Sequence, residues 1–168
     1  GKEVYEIQLC KELNTEDNVN VVRYVDNGEV KKGNKVFHYL VTEYYRGILL
    51  YEAVRTDGPF DLEDAVQIIL CVLSGLSFIH SRALIHNDIR PSNIMLQELD
   101  DGMLMPTIID LGHISYMVKG RPTFIDEDLM PYFRAPETFR AVYTVKSDIF
   151  STGALLYFLI FGKSPWEM

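Results

Sequence analysis

Residues 84–96 contain the side chains with the clearest chemical potential in this chain. An apolar segment leads into His86 and Asp88, and Asn93 follows the aspartate by five positions before a second apolar segment begins. This pattern predicts a loop between two buried elements that presents one carboxylate and one carboxamide at a fixed separation. Phosphoryl transfer uses such a pair, because the carboxylate accepts the proton of the attacking hydroxyl and the amide oxygen binds magnesium.

A second carboxylate follows at the end of a β-branched run. Residues 107–109 lead directly into Asp110, where a buried strand is expected to emerge. Between the two sites, residues 99–103 include an Asp-Gly pair, which tolerates the positive φ of a tight hairpin turn. The hairpin is expected to bring Asn93 and Asp110 to the ends of neighbouring strands, where they can share one metal ion.

Two further motifs lie downstream, and together the four resemble a known family. The sequence Ala135-Pro136-Glu137 ends 27 positions after Asp110, and Asp148 opens an apolar, helix-like segment. The loop around Asp88 resembles His-Arg-Asp-Leu-x-x-x-x-Asn, and the sequence at Asp110 resembles Asp-Phe-Gly. In this order and spacing, the motifs resemble those of eukaryotic-type protein kinases over nearly all 168 residues.

The resemblance implies an α+β, bilobal fold of which this chain holds part. Residues 1–45 are expected to form a partial small lobe and the hinge, with one helix and two or more strands. Residues 46–168 are expected to form part of a mainly helical large lobe. The sequence contains neither a Gly-x-Gly-x-x-Gly motif nor a lysine at a suitable distance before Glu6. The 168 residues are thus expected to represent the middle of a kinase domain, with little or no activity alone.

The resemblance also implies the catalytic roles. Asp88 is the expected catalytic base, and Arg90 is expected to stabilise charge on the transferred phosphoryl group. Asn93 and Asp110 are expected to bind Mg²⁺ through oxygen atoms. Glu6 corresponds to the glutamate of the regulatory helix in the small lobe, which helps to organise the nucleotide site.

ATP is the expected phosphate donor, and a protein hydroxyl is the expected acceptor. Glu43 and Tyr45 correspond to the hinge, whose backbone groups meet the adenine edge. Thr42 corresponds to the gatekeeper, and Met95 to the apolar floor beneath the adenine. Residues 131–137 and 162–166 are closer to serine/threonine kinases than to tyrosine kinases, so a serine or threonine acceptor is expected.

Hydrophobic periodicity predicts the elements that must position these residues. They are helices over 3–13, 62–81 and 147–161, strands over 21–25 and 36–45, and a charged loop over 26–34. The helix over 62–81 starts at a cap, Asp61, and leads into the catalytic loop. The helix over 147–161 is apolar on nearly every side, which predicts a central core helix. The resemblance to kinases implies that Asp148 holds the catalytic loop, residues 84–96, from below. His86 is expected to be a packed core histidine.

Charge, hydropathy and cysteine content indicate which partners and which compartment to expect. A net charge of −8 disfavours a nucleic-acid partner that is held by its phosphates. The longest apolar run, residues 154–161, is too short to cross a membrane, and no signal peptide is visible. The two cysteines, Cys10 and Cys71, are expected to be reduced and buried, which is typical of a cytoplasmic protein.

Three departures from the kinase pattern bear on regulation. By the same resemblance, the activation segment runs from Asp110 to Ala135-Pro136-Glu137. Asn87 replaces the arginine that normally receives a phosphate on this segment, so phosphate-dependent ordering through this position is not expected. Leu111 replaces phenylalanine but still offers an apolar plug, and Met130 occupies a position where serine/threonine kinases usually carry threonine. The hydroxyl groups nearby are therefore weak candidates for a phosphorylation switch: Ser115, Tyr116 and Thr123.

Two alternative functions remain open from the sequence. The same departures suit a pseudokinase, which uses the fold to bind nucleotide or to act as a scaffold. A kinase-like phosphotransferase for small molecules would share the residues at Asp88, Asn93 and Asp110. Such enzymes usually lack Ala-Pro-Glu and the helix-opening aspartate, so the sequence favours a protein kinase.

Overall fold

The computed structural model describes residues 2–14, 18–117 and 131–166. Within these ranges the chain forms a mixed α+β structure, which confirms the predicted fold class. The helices and strands are α1 (Lys2–Glu12), β1 (Tyr24–Lys32), β2 (Lys35–Thr42), β3 (Ile48–Leu49), α2 (Leu50–Asp57), α3 (Leu62–Ser81), β4 (Leu84–Ile85), β5 (Ile94–Glu98), β6 (Leu104–Ile108), β7 (Ser115–Tyr116) and α4 (Val145–Phe161). Short 3-10 helices occur at Pro91–Asn93, Pro131–Phe133 and Pro136–Arg140.

The strands form small antiparallel sheets around a helical core. In the described part of the chain, β1 pairs with β2, β5 lies between β3 and β6, and β4 pairs with β7. Helix α3 packs against both β6 and α4. One continuous apolar core extends from Leu9 on α1 through Ile68 and Leu76 on α3 to Leu155 on α4.

Helix α3 is the element that the sequence predicted best. It begins and ends at the predicted residues, and the Asp61 carboxylate accepts a hydrogen bond of 2.9 Å from the backbone amide of Asp64. Ala65, Ile68 and Val72 follow helical spacing and are buried. By length and composition alone, α3 could also cross a membrane, as many core helices could. Its packing against β6 and α4 accounts for its apolar face.

The predicted division between strand 21–25 and loop 26–34 is wrong. Strand β1 runs through most of that loop and turns into β2 at Gly33, whose φ is +63°. Its charged side chains point to solvent, while Tyr24 of β1 and Leu40 of β2 pack against the main core and both strands contact α1. The β2 strand ends at Thr42, before the predicted end at residue 45.

Residues 20–22 instead attach the N-terminal part of the chain to the large core. The Ile108 amide donates to the carbonyl of Asn20 at 2.8 Å, and the Val22 amide donates to the carbonyl of Ile108 at 2.8 Å. Gly75 on α3 permits this close approach, because a β-carbon there would lie only 3.0 Å from the Asn20 carbonyl oxygen. A sequence window around Val21 contains no sign of this distant partner.

Helix α4 differs from the predicted core helix in which side chains it buries. Leu155 and Phe158 are buried as expected, whereas Ile149 is 50% exposed and Phe161 is 56% exposed. The buried face near the N-terminus is polar and includes Asp148 and Thr152. The Thr152 hydroxyl donates to the carbonyl of Asp148 at 2.8 Å, so its burial leaves no unpaired donor. The polar face is turned inward because it bonds to the catalytic loop.

Candidate active site

The catalytic loop is held by a buried carboxylate on α4. Asp148 is 1% exposed, and its two oxygens accept hydrogen bonds from the backbone amides of His86 (2.9 Å) and Asn87 (2.8 Å). The His80 ring lies on the same carboxylate, with Nε2 at 2.8 Å from Oδ2. The prediction that Asp148 holds this loop from below is confirmed.

Asp88 lies at the centre of a cluster of polar side chains. It is 6% exposed, and its Oδ2 accepts a hydrogen bond of 2.6 Å from the Asn93 amide nitrogen. The same oxygen lies 3.1 Å from Nε of Arg90 and 3.6 Å from Nδ1 of His113. The structure therefore places the Arg90 guanidinium and the Asn93 side-chain amide, as predicted partners of the site, around the buried carboxylate of Asp88.

Asn93 and Asp110 come together through the hairpin that the sequence predicted. Strands β5 and β6 pair in register, and the Ile109 amide donates to the carbonyl of Asn93 at 3.0 Å. The turn between them closes with a 2.8 Å bond from the Gly102 amide to the carbonyl of Leu99. Hence the two predicted magnesium ligands lie at the same end of adjacent strands.

The donor atoms of this cluster fit a divalent cation. Asp88, Asp110 and His113 each present one ligand atom, and these atoms all lie within 4.8 Å of one another. The Asn93 nitrogen is committed to Asp88, so the side-chain oxygen is the atom left to bind an ion. Carboxylate and amide oxygens are the ligands that Mg²⁺ prefers.

Helix α1 brings Glu6 to the same cluster. An ideal β-carbon on Gly112 would lie 3.1 Å from Oδ1 of Asp110 and 3.7 Å from Oε2 of Glu6, so glycine leaves room for both carboxylates. Burial raises the pKa of the neighbouring Cys10 thiol to about 12, and the negative charges of Glu6 and Asp110 add to this effect. Both observations place Glu6 beside Asp110.

His86 is a buried histidine of the core, as predicted. It is fully buried, and its Nδ1 accepts a hydrogen bond of 3.2 Å from the Asp88 amide. Burial lowers the pKa of His86, although the carboxylates of Asp148, Asp88 and Asp110 oppose this shift. A neutral imidazole with Nδ1 as acceptor is a structural part of the loop, and its position beneath the loop does not suit it to exchange protons with a substrate.

The residues predicted to bind the nucleotide base come from two segments of the chain, residues 43–45 and strand β5. The Glu43 amide donates to the carbonyl of Arg23 at 2.9 Å, and the Tyr45 hydroxyl accepts from the Arg23 amide at 3.0 Å. Burial raises the pKa of Tyr45. Met95 lies on β5 opposite Leu49 of β3. Glu43 and Tyr45 follow the end of β2, whereas Met95 is part of β5. The adenine contacts assigned to these three residues stay predictions.

Comparison with known proteins identifies the family. The sequence pattern described as "Protein kinase domain" matches residues 2–168. The chain belongs to the protein kinase domain family. Calcium-dependent protein kinase 4 of Plasmodium berghei (strain Anka) is 31% identical over 165 residues, which covers 96% of this chain and 29% of the relative. Serine/threonine-protein kinase chk1 of Schizosaccharomyces pombe is 30% identical over 165 residues, which covers 96% of this chain and 31% of the relative.

A bacterial relative shows the same level of similarity. Serine/threonine-protein kinase PknB of Mycolicibacterium smegmatis is 31% identical over 152 residues, which covers 87% of this chain and 23% of the relative. The kinase domain described here thus spans less than a third of the length of the curated relatives it matches.

Asn87, which occupies the position of the kinase arginine, forms hydrogen bonds of its own in this structure. Asn87 has a φ of +70°, a conformation that asparagine tolerates better than most residues. Its amide nitrogen lies 2.7 Å from the His113 carbonyl and 2.9 Å from the Ser115 hydroxyl, both of which follow Asp110 in the chain. A direct bond between Asn87 and the start of the activation segment therefore exists without a phosphate.

The described hydroxyl groups that the sequence marked as weak candidates for a phosphorylation switch are engaged in hydrogen bonds. Ser115 is fully buried and bonded to Asn87, and the Tyr116 hydroxyl donates to a Glu12 carboxylate oxygen at 2.8 Å. Burial of Ser115 keeps kinases from reaching it in the folded state. Thr123 and Met130 lie outside the described residues. Leu111 is 1% exposed, as expected of an apolar plug.

The sequence interpretation missed His113 as a member of the site. Its position directly after Asp110-Leu111-Gly112 was the only local signal. The distance of 3.6 Å to Asp88 depends on how the activation segment crosses the catalytic loop, where β4 pairs with β7.

Replacing Asn87 tests whether the hydrogen bonds from its side-chain amide to His113 and Ser115 stabilise the protein. Asn87→Gly keeps the positive φ but removes the donor, so we expect it to lower the free energy of unfolding by about 1–3 kcal/mol. Asn87→Ala is expected to cost about 1–2 kcal/mol more, because alanine resists a positive φ. Urea unfolding followed by circular dichroism measures both values. The exposed turn residue Asn34 provides the control, since Asn34→Gly is expected to change stability by less than about 0.5 kcal/mol. A stability of Asn87→Gly equal to wild type would show that the contacts are energetically neutral.

Proposed function

We propose that this chain is the catalytic core of an ATP- and Mg²⁺-dependent protein kinase that phosphorylates serine or threonine. One observation carries the proposal: the buried Asp88 carboxylate bonds to Asn93, pairs with Arg90 and lies beside Asp110. The family membership and the serine/threonine kinases among the relatives support the same conclusion.

Each residue of the cluster has a distinct proposed role. Asp88 orients the substrate hydroxyl and accepts its proton, and the Asn93 bond to Asp88 keeps the carboxylate in place for that step. Arg90 places positive charge beside the transferred phosphoryl group. Asp110 and the Asn93 oxygen hold Mg²⁺, which, when bound, neutralises charge on the ATP phosphates. Glu6, beside Asp110, keeps α1 close to the phosphate end of the site.

The nucleotide base is proposed to lie at the end of β2. The backbone groups of Glu43 and Tyr45 bind the adenine edge, Thr42 limits the space behind the base, and Met95 packs beneath it. The bond between the Tyr45 hydroxyl and the Arg23 amide supports this assignment, because it directs the tyrosine side chain toward β1 and fixes the course of the backbone there.

The test uses the full-length protein with labelled ATP and a mixture of protein substrates. We expect label on phosphoserine or phosphothreonine, and we expect it to disappear when EDTA removes Mg²⁺. Label on phosphotyrosine alone would overturn the acceptor assignment. Binding of ATP without any transfer would instead support the pseudokinase alternative. Phosphorylation restricted to small molecules would support the phosphotransferase alternative.

We also propose that the protein works in the cytoplasm. The thiols of Cys10 and Cys71 are both free, as suits cysteines in a reducing compartment. Cys10 is buried as predicted, but the prediction for Cys71 is wrong, because this residue of α3 is only partly buried. Burial raises the pKa of each thiol. Fractionation of cells that express the full-length protein tests this proposal, and recovery in a secreted or membrane fraction would contradict it.

A further inference from the structure

A cavity of about 370 Å³ lies beside the catalytic loop, and Arg90, which pairs with Asp88, forms part of its lining. Its walls contain four aromatic side chains from three separate parts of the chain. They are Tyr51 on α2, Tyr132 and Phe133 in the 3-10 helix Pro131–Phe133, and Phe158 on α4. The cavity takes no part in the chemistry assigned above to Asp88 and Asp110.

The aromatic rings are fixed by their contacts with one another. The rings of Tyr51 and Phe158 stack with centroids 6.1 Å apart and planes at 9°, and Phe133 meets Phe158 edge-on at 5.8 Å. Phe158 is 6% exposed and belongs to the main core, so the base of the cavity is rigid. Tyr51 and Tyr132 are 44% and 40% exposed and form the open rim.

The charge of the residues that line the cavity disfavours binding of a lysine or arginine side chain. Among the described residues that line the cavity, none carries a carboxylate, and Arg90 is the one charged side chain. Its guanidinium pairs with Asp88 at 3.1 Å. A lysine or arginine entering the cavity would lose water without gaining a counter-charge. A large apolar side chain would instead exchange water for aromatic surface.

Arg90 connects the cavity to Asp88, the residue proposed to orient the substrate hydroxyl. Arg90 both lines the cavity and contacts Asp88, and the neighbouring Ser92 also lines it. Residues of an extended chain are spaced about 3.3–3.6 Å apart. A peptide whose hydroxyl reaches Asp88 therefore carries a nearby residue within reach of the cavity.

We propose that this cavity binds a large apolar or aromatic side chain of the protein substrate, close in sequence to the serine or threonine that is phosphorylated. Tyr51, Tyr132 and Phe158 are then specificity-determining residues of this kinase domain. The inference rests on the proposed function, since it assigns part of the substrate of the same site.

The experiment compares matched peptides with the full-length protein. Each peptide has one serine and a phenylalanine, alanine or arginine at one of the three positions on either side. We expect phenylalanine at one position to raise kcat/KM about tenfold over alanine, which is about 1.4 kcal/mol. Arginine at that position is expected to do no better than alanine.

Variants at the rim connect this preference to the cavity. Tyr132→Glu is expected to abolish the preference for phenylalanine and to favour arginine, because it adds a carboxylate to the lining. Tyr132 is partly exposed, so its replacement leaves the core intact. Tyr39→Glu is the matched control: Tyr39 is a tyrosine of similar exposure, 43%, on β2 and outside the cavity. This variant is expected to keep the tenfold preference.

The outcomes separate the inference from the proposed function. Equal rates for phenylalanine and alanine at every position, or a preference for arginine in the wild type, would overturn the inference and leave the kinase activity standing. If no peptide is phosphorylated, the affinities of the same peptides are measured by calorimetry, and they show whether the cavity binds phenylalanine. Binding that phenylalanine strengthens and Tyr132→Glu weakens about tenfold would support the cavity and reject the transfer activity. Absence of both would overturn both.

Discussion

Replacing Asp148 with alanine is expected to lower the free energy of unfolding by about 3–5 kcal/mol. The carboxylate is 1% exposed and accepts hydrogen bonds from the backbone amides of His86 and Asn87. Without it, both amides lose their partner inside the protein, where water cannot replace it. Each orphaned donor costs about 1–3 kcal/mol.

Urea unfolding of this chain measures the effect directly. Asp100→Ala is the matched control, because Asp100 is an exposed aspartate in the hairpin turn and its loss is expected to cost less than about 0.5 kcal/mol. Asp148→Asn is expected to fall between the two, since its amide oxygen replaces only one of the two acceptors. A loss of 1 kcal/mol or less for Asp148→Ala would contradict the view that this carboxylate holds the loop.

Replacing Asp88 with asparagine in the full-length protein is expected to lower kcat about 10²–10⁴-fold. Asparagine has nearly the same shape and can still bond to Asn93, but it cannot accept a proton. The KM for ATP is expected to change little, because Asp88 is assigned to the substrate hydroxyl. Steady-state kinetics with labelled ATP separate the two parameters.

Two further variants distinguish loss of the proposed base, Asp88, from loss of a metal ligand or of a surface carboxylate. Asp110→Asn is expected to reduce activity as well, but with a raised Mg²⁺ requirement, because it removes a ligand of the ion. Asp100→Asn changes an exposed carboxylate outside the site and is expected to leave kcat unchanged. If Asp88→Asn kept activity within a few-fold of wild type, Asp88 would not be the catalytic base.

The sequence-based predictions succeeded where their signals are local. The hairpin at Gly102 follows from an Asp-Gly pair in the turn, and α3 follows from a cap at Asp61 and apolar residues at helical spacing. Helix α2 was missed, although Leu50, Ala53 and Val54 show the same spacing over a shorter stretch. Eight residues offer too few repeats for a period to stand out.

The errors concern partners that are distant in the sequence. The charged residues of β1 look like a loop until β2 supplies the other half of the ribbon. The apolar composition of α4 predicts burial all round, whereas its polar N-terminal face bonds to the catalytic loop and Ile149 faces outward. In both cases the environment of a residue depends on packing that a sequence window does not contain.

By itself, the sequence determined the family of this protein and the identity of its candidate catalytic residues. Asp88, Asn93, Asp110 and Asp148 lie in short motifs whose order and spacing are properties of the chain alone. Only the tertiary structure decided that Asn87 bonds to the activation segment and that His113 approaches Asp88. It also decided that aromatic residues from three distant segments enclose one cavity beside Arg90. The physical reason is that such contacts form between side chains far apart in the chain, and packing of the whole core sets their distances.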